Sequence, residues 1–143
     1  MGRTSWRFGK FNVVGAGGAA LQVLLFYLLI RRCHLPGAAA TLIAVEVVVL
    51  HNFWWHERFT WRDRIGAGMR GRAIRLWRFH TGNGLVSLAG NTLLTYALVD
   101  WLRLPAVPAA AAAIALCAPL NFWIADRWVY LSADRQNISF NPN

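Results

Sequence analysis

The sequence predicts an all-α membrane protein, with four transmembrane helices paired as two tandem, same-orientation helical hairpins, N-in/C-in. Three observations predict it. Hydrophobic residues make up 57% of the 143 residues and charged residues only 15%, where a soluble domain carries roughly 25% charged. The apolar residues gather into four runs close to the ~20 residues that a helix needs to cross the hydrocarbon layer. Lys and Arg crowd one side of those runs.

The four runs extend from about Phe11 to Ile30, Ala38 to Trp55, Asn83 to Leu102 and Ala106 to Ile124. Arg3, Arg7 and Lys10 precede the first run and give it the look of a signal peptide. Its apolar stretch exceeds the ~7–15 residues of a signal h-region and further runs follow, so a retained first helix is expected. Between the first two runs lie only Arg31 to Gly37, and between the last two only Arg103 to Pro105. Connections this short permit only an antiparallel return. No long Ser-, Pro- or Gly-rich linker divides the chain, so residues 1–143 read as one domain. It comprises repeat one (about 6–61), a basic cytoplasmic loop (about 62–76), repeat two (about 77–130) and a tail (131–143).

Orientation follows from the flanking charges. One side holds Arg3, Arg7, Lys10, Arg58, Arg62, Arg64, Arg70, Arg72, Arg75, Arg78, Arg127 and Arg135, twelve in all, and the other only Arg31, Arg32 and Arg103. The positive-inside rule places the twelve, both termini and the central loop in the cytoplasm. Trp6, Trp54, Trp55, Trp61, Trp77, Trp123 and Trp128 fall near that boundary and Trp101 near the other, as expected for indole rings that prefer the headgroup layer. The stretch from Arg64 to Phe79 alternates basic and apolar residues. It suits an interfacial helix on an anionic surface, although its three glycines weaken a helix there. A net charge of +9 is thus explained by topology, and nucleic acid is not an expected partner.

The halves resemble each other. Trp6-Arg7-Phe8 returns as Trp77-Arg78-Phe79 and Asn12 as Asn83, 71 positions on; from Tyr27 the offset becomes 69 and carries Leu35-Pro36 onto Leu104-Pro105. The run from Asn52 to Trp61 (NFWWHERFTW) matches that from Asn121 to Tyr130 (NFWIADRWVY), a shared N-F-W-x-x-[ED]-R-aromatic-x-aromatic pattern. An even number of spans per repeat makes the repeats parallel, with a pseudo-two-fold axis along the membrane normal. Arg58 and Arg127 then lie at helix C-termini, where a cation complements the dipole. Glu57-Arg58 and Asp126-Arg127 are open to two readings, a functional motif or a device that caps, anchors and orients.

Glu46 is the carboxylate deepest in an apolar run, and ionisable groups there usually face a protein interior or wet cavity. On an ideal helix it shares a face with Phe53 and Glu57. The second repeat has Ala115 in its place, so Glu46 is not common to both halves. Asn83, Ser87, Asn91 and Thr95 form a polar ridge on the third helix. It serves either interhelical hydrogen bonds or a substrate track, as does Gln22 on the first helix. The small-residue stretches Gly15 to Ala20 and Ala109 to Ala113 suit close helix packing; the first lacks the Lys-Ser/Thr ending of a phosphate loop. Pro119 is expected to kink the last helix.

Chemistry is sparse. His51 and His56 are five residues apart and off a common face, so a metal site is not expected. Cys33 and Cys117 fall at different depths and make no disulfide framework. No nucleophile set, catalytic carboxylate pair or nucleotide fingerprint is present, which argues against an enzyme and against a cofactor.

Trp6-Arg7-Phe8 running into Val13-Val14-Gly15, and the Asn-Phe-Trp…Arg-aromatic ending of each repeat, resemble the GtrA-like family of four-helix membrane proteins, from about Trp6 to Tyr130. The resemblance implies a multi-pass protein of the bacterial cytoplasmic (inner) membrane that flips a polyprenyl-phosphate-linked monosaccharide for cell-surface polysaccharide synthesis. Its partners would be membrane lipids and that lipid-linked sugar. Under this implication Arg7, Arg58, Arg78 and Arg127 bind the phosphate, since guanidinium groups pair with phosphate oxygens bidentately. Asn52 and Asn121 meet sugar hydroxyls, and a polar interior of Glu46, Gln22, Ser87, Asn91, Glu57 and Asp126 shelters the sugar. Transport runs down a gradient or couples to protons at Glu46, and the narrow path between four helices favours a homodimer. Two alternatives stand beside it. One is a non-catalytic anchor or activator of a membrane glycosyltransferase, docked through the basic segment from Arg62 to Arg78. The other is a small multidrug-type exporter, disfavoured because such exporters insert in both orientations and carry their acid on the first helix.

Overall fold

The computed structural model describes residues 2–65 and 68–130. The tail 131–143, with the Arg135 counted for orientation, lies outside the described residues. All regular structure among the described residues is helical. Two compact units divide between Arg62 and Asp63. Three helical stretches, Thr4–Arg31, Gly37–Thr60 and Pro108–Val129, are long and apolar enough to cross a membrane, and a further helix accompanies them.

In the first unit α1 (Gly2–Arg31) packs against α2 (Gly37–Trp55). The turn between them is closed by the Leu35 amide donating to the Leu29 carbonyl at 3.1 Å, with His34 in the left-handed region at φ 54°. This i to i−6 bond is one residue wider than the usual closure of a helix end, in which glycine normally takes the left-handed position, and it satisfies an orphan carbonyl in the same way. Pro36, at φ −58° and ψ 144°, then starts α2 and accepts from the Ala40 amide at 3.0 Å. The buried stripe of α2 is Ala40, Ala44 and Val48, successive i to i+4 steps, and two alanines let the α1 backbone approach closely. At Gly18 of α1 an added Cβ would run into the Asn52 amide, so the stretch Gly15 to Ala20 packs through this one glycine, while Gly15 and Gly17 face open space.

The second unit repeats this construction. Here α4 (Leu85–Tyr96) packs on α5 (Ala106–Ile124). Leu104 donates to Leu98 at 3.1 Å, Arg103 takes the left-handed position at φ 56°, and Ala109 donates to Pro105 at 3.0 Å, each 69 positions from its counterpart. The α5 stripe is Ala109, Ala113, Cys117 and Asn121, and at Gly90 an added Cβ would stand 2.9 Å from the Cys117 sulfur. α5 remains helical through Pro119.

The entry to α4 differs from α1. Of the segment read as a basic loop, Arg62–Arg64 form a single 3₁₀ turn and α3 (Met69–Phe79) is already helical; it continues through the π turn His80–Gly84 directly into α4. Both flanking residues of that turn keep right-handed helical angles, so α3 is the leading part of a longer helix. A second π turn, Ala97–Trp101, ends α4. These wide turns and the polar ridge explain why α4 alone falls short of a spanning length.

Candidate functional site

Both units end in the same device. α2 and α5 each give way to a π turn, His56–Thr60 and Ala125–Val129, closed by Trp61 donating to His56 at 2.9 Å and Tyr130 donating to Ala125 at 3.0 Å. Trp61 and Tyr130 are fully buried. The last aromatic of the repeated pattern is therefore a core plug, and Trp61 leaves the set expected at the membrane surface. In the first unit Phe11 stacks on His56 with centroids 4.8 Å apart and meets the edge of Trp61 at 5.9 Å. His56 Nδ1 lies 3.0 Å from the Thr60 hydroxyl, which fixes its ring in the cluster. His51 is instead within 3.2 Å of Asn52 Oδ1, so the two histidines serve separate contacts. No group of three or more His, Cys, Asp or Glu that could hold a metal occurs among the described residues.

The cations surround this plugged end. Lys10 Nζ donates to the Phe59 carbonyl at 3.1 Å and stands 4.6 Å from the Phe59 ring and 5.4 Å from Trp6. It thereby satisfies a C-terminal carbonyl and complements the helix dipole. Because Lys10 reaches Phe59, Arg7 one turn away on α1 lies at the same end of the hairpin as Arg58. Arg58 is exposed, its guanidinium 4.3 Å above the Trp54 ring. In the second unit α3 packs against the Ala125–Val129 turn, which sets Arg78 and Arg127 at one end. Arg127 and Trp123 are both exposed, matching Arg58 and Trp54 in position. Asp126 is held by Arg64, whose guanidinium donates to Asp126 Oδ1 at 2.9 Å and to its carbonyl at 3.3 Å. Its counterpart Glu57 is buried.

The deeper polar residues separate into three environments. Glu46 is exposed on α2, two residues and hence ~200° around the helix from Ala44 of the packing stripe. It is not enclosed with Phe53 and Glu57, which are buried. Gln22 is half-buried on α1. In the second unit Asn121 Nδ2 donates to the Ser87 hydroxyl at 2.8 Å, so part of the ridge does join the two helices. Yet Oδ1 of Asn83, Asn91 and Asn121 are shut from solvent and accept no hydrogen bond. The first unit places its polar atoms otherwise: Asn12 donates to Phe8 of its own helix at 2.8 Å, and Asn52 Oδ1 has His51. Lys10 was not singled out by the sequence, since only the fold sets it opposite residue 59. Asn83 stood in the polar ridge, and its Gly82-Asn83-Gly84 setting is the local signal that the helix can widen there.

No curated protein matches the chain significantly. The family model described as GtrA/DPMS, transmembrane domain, matches residues 10–130, a stretch that contains α2, α4, α5, the repeated motif and nearly all of the polar residues above. Its bounds fall where the construction begins and ends, at Lys10 against the Phe59 carbonyl and at the buried Tyr130. The chain is a membrane protein of the GtrA/DPMS transmembrane-domain family.

Proposed function

We propose that this protein flips a polyprenyl-phosphate-linked monosaccharide across the bacterial cytoplasmic membrane for cell-surface polysaccharide synthesis, as a four-span protein with both termini inside. The observation that carries the reading is the exposed guanidinium over an indole at Arg58 and Trp54, repeated in position by Arg127 and Trp123 at the end of the second unit. Family membership points to lipid-linked sugar processes, and a phosphodiester is the anion such a pair would take. A guanidinium offers it two parallel donors, while the indole face holds the cation at headgroup depth. Arg7 and Arg78 add charge at the same ends. The fourth span is supported by the unbroken helical course from His80 to Trp101 through α4, 22 residues or about 33 Å at ~1.5 Å per residue. Movement runs down the gradient of the lipid-linked sugar, and a homodimer would widen the path.

The test is transbilayer movement of a short-chain polyprenyl-phosphate hexose in liposomes holding the purified protein. Wild type accelerates movement, and Arg58→Ala with Arg127→Ala lowers the rate at least tenfold, the effect of losing about 1.4 kcal/mol of phosphate contact. Folded protein that leaves movement at the protein-free rate across several sugars rejects the flippase reading. A second reading, a non-catalytic anchor for a membrane glycosyltransferase, is favoured by one observation. Arg70 and Arg72 of α3 are exposed, with Met69 91% exposed beside them, and Arg62 at the end of the first unit is exposed too.

A further inference from the structure

We infer that recognition of the sugar belongs to the second unit, at the hydrogen-bond acceptors Asn83 in the turn before α4, Asn91 on α4 and Asn121 on α5, and that its ligand is a neutral, hydroxyl-rich ring. This rests on the lipid-linked sugar reading above. A buried amide oxygen that accepts nothing is costly, and native proteins keep few of them without a reason. Here three occur in one helical hairpin, and two belong to side chains that are only 8% exposed, Asn83 and Asn121. What is missing at each is a donor, so a phosphate, which offers only acceptors at neutral pH, cannot complete them, whereas hydroxyl groups can.

Spacing sets the size of the ligand. Asn83 and Asn91 are eight residues apart, about 12 Å along the helix, with Ser87 and its partner Asn121 midway. A single hexose ring spans about one helical turn, so it would meet one end of the ridge and the Asn121 level together, then the other end. The same three acceptors thus serve successive positions of one ring moving along the hairpin.

Two independent features confine this to one unit. Where Asn121 meets the Ser87 hydroxyl, its counterpart Asn52 lies against Gly18, which brings no polar side chain, and has its oxygen engaged by His51; 69 positions before Asn83 and Asn91 stand Val14 and the half-buried Gln22. Asn83 also lies in the π turn His80–Gly84, where α1 has regular helix. Such widened turns are rare and recur at functional sites. The halves share their packing and their capping, and differ where the acceptors are left open.

The test compares the affinity of the purified protein in nanodiscs for a short-chain polyprenyl phosphate carrying glucose or galactose with that for the same lipid phosphate bare. Tryptophan fluorescence is the readout, because the Trp128 ring lies against Gly82, next to Asn83. Wild type prefers the sugar-bearing lipid by at least tenfold. Asn83→Leu, Asn91→Leu and Asn121→Leu each bring the ratio within about twofold while the thermal midpoint holds or rises, since an open acceptor has been removed. Asn12→Leu keeps the wild-type ratio. Should Asn121→Leu fail to fold for want of its Ser87 bond, Asn83→Leu and Asn91→Leu decide. A wild-type ratio near one, or a ratio unchanged in the folded variants, overturns the inference, as does an equal loss in Asn12→Leu. Sugar preference that depends on these asparagines without any transbilayer movement leaves this site standing and removes the flippase reading; movement with an unchanged ratio does the reverse.

Discussion

Trp6 keeps 67% of its surface exposed and Trp61 keeps none, although both stand at the same end of the first unit. An indole preference for the headgroup layer accounts for Trp6. It does not account for Trp61, which closes the π turn and meets Phe11 and His56 edge-on at 5.9 and 5.2 Å. Trp61→Ala should therefore destabilise the protein by about 3–5 kcal/mol, as large-to-small changes at well-packed core sites do, whereas Trp6→Ala should stay within ~0.5 kcal/mol. Denaturant titration in detergent micelles measures both, and equal small effects would show Trp61 to be a surface anchor after all. Composition could not separate the two rings. Burial of Trp61 depends on Phe11, fifty positions away, and no local pattern in the sequence announces which aromatic a distant one will meet.

At the scale of elements, the helices and hairpin turns were legible because they rest on local chemistry: apolar runs, Leu-Pro turns and the Asn-Phe-Trp endings. The π turns were not. A widened turn differs from an α turn by one residue of register, and the apolar period tolerates that slip over so short a stretch. The exposure of Glu46 was not legible for a related reason. Its face follows from the Ala40, Ala44 and Val48 stripe, which is visible as packing only once α1 lies against it. The stretch from Arg64 to Phe79 read as a surface helix because of its alternating charge, and in the structure its helical part, Met69 to Phe79, continues into α4 and extends the hairpin. That extension separates the two functional readings. Arg62→Glu with Arg70→Glu, both exposed, should leave sugar-lipid movement by the purified protein within about twofold and stability within ~0.5 kcal/mol. If α3 instead docks a glycosyltransferase, sugar transfer in native membranes falls at least tenfold in this variant while the purified protein remains folded.

For the whole molecule the deciding property is orientation, and the chain carries its own probes. Cys33 is exposed in the turn that joins α1 to α2, and Cys117 is buried on the α5 stripe. Under the proposed topology twelve Lys and Arg would fall on one side against three on the other, a strong bias because positively charged flanks resist transfer across the membrane. The proposed topology puts Cys33 outside. A membrane-impermeant maleimide should then label intact cells through Cys33, and Cys33→Ser should abolish the signal, leaving Cys117 unreactive until the protein is denatured. A cysteine introduced at Gly68, just before α3, should react only after the membrane is opened. The pattern bears on mechanism as well as on placement. Under the proposed function, a single cytoplasmic-side orientation would bring Arg58 and Arg127 to the inner leaflet and leave the asparagine acceptors of the second unit deeper in the membrane. Labelling of Cys33 in only part of the population, with Gly68→Cys reactive in the remainder, would mean dual insertion. The same site would then face both leaflets, as in a small multidrug-type exporter, and the charge bias would have been overridden.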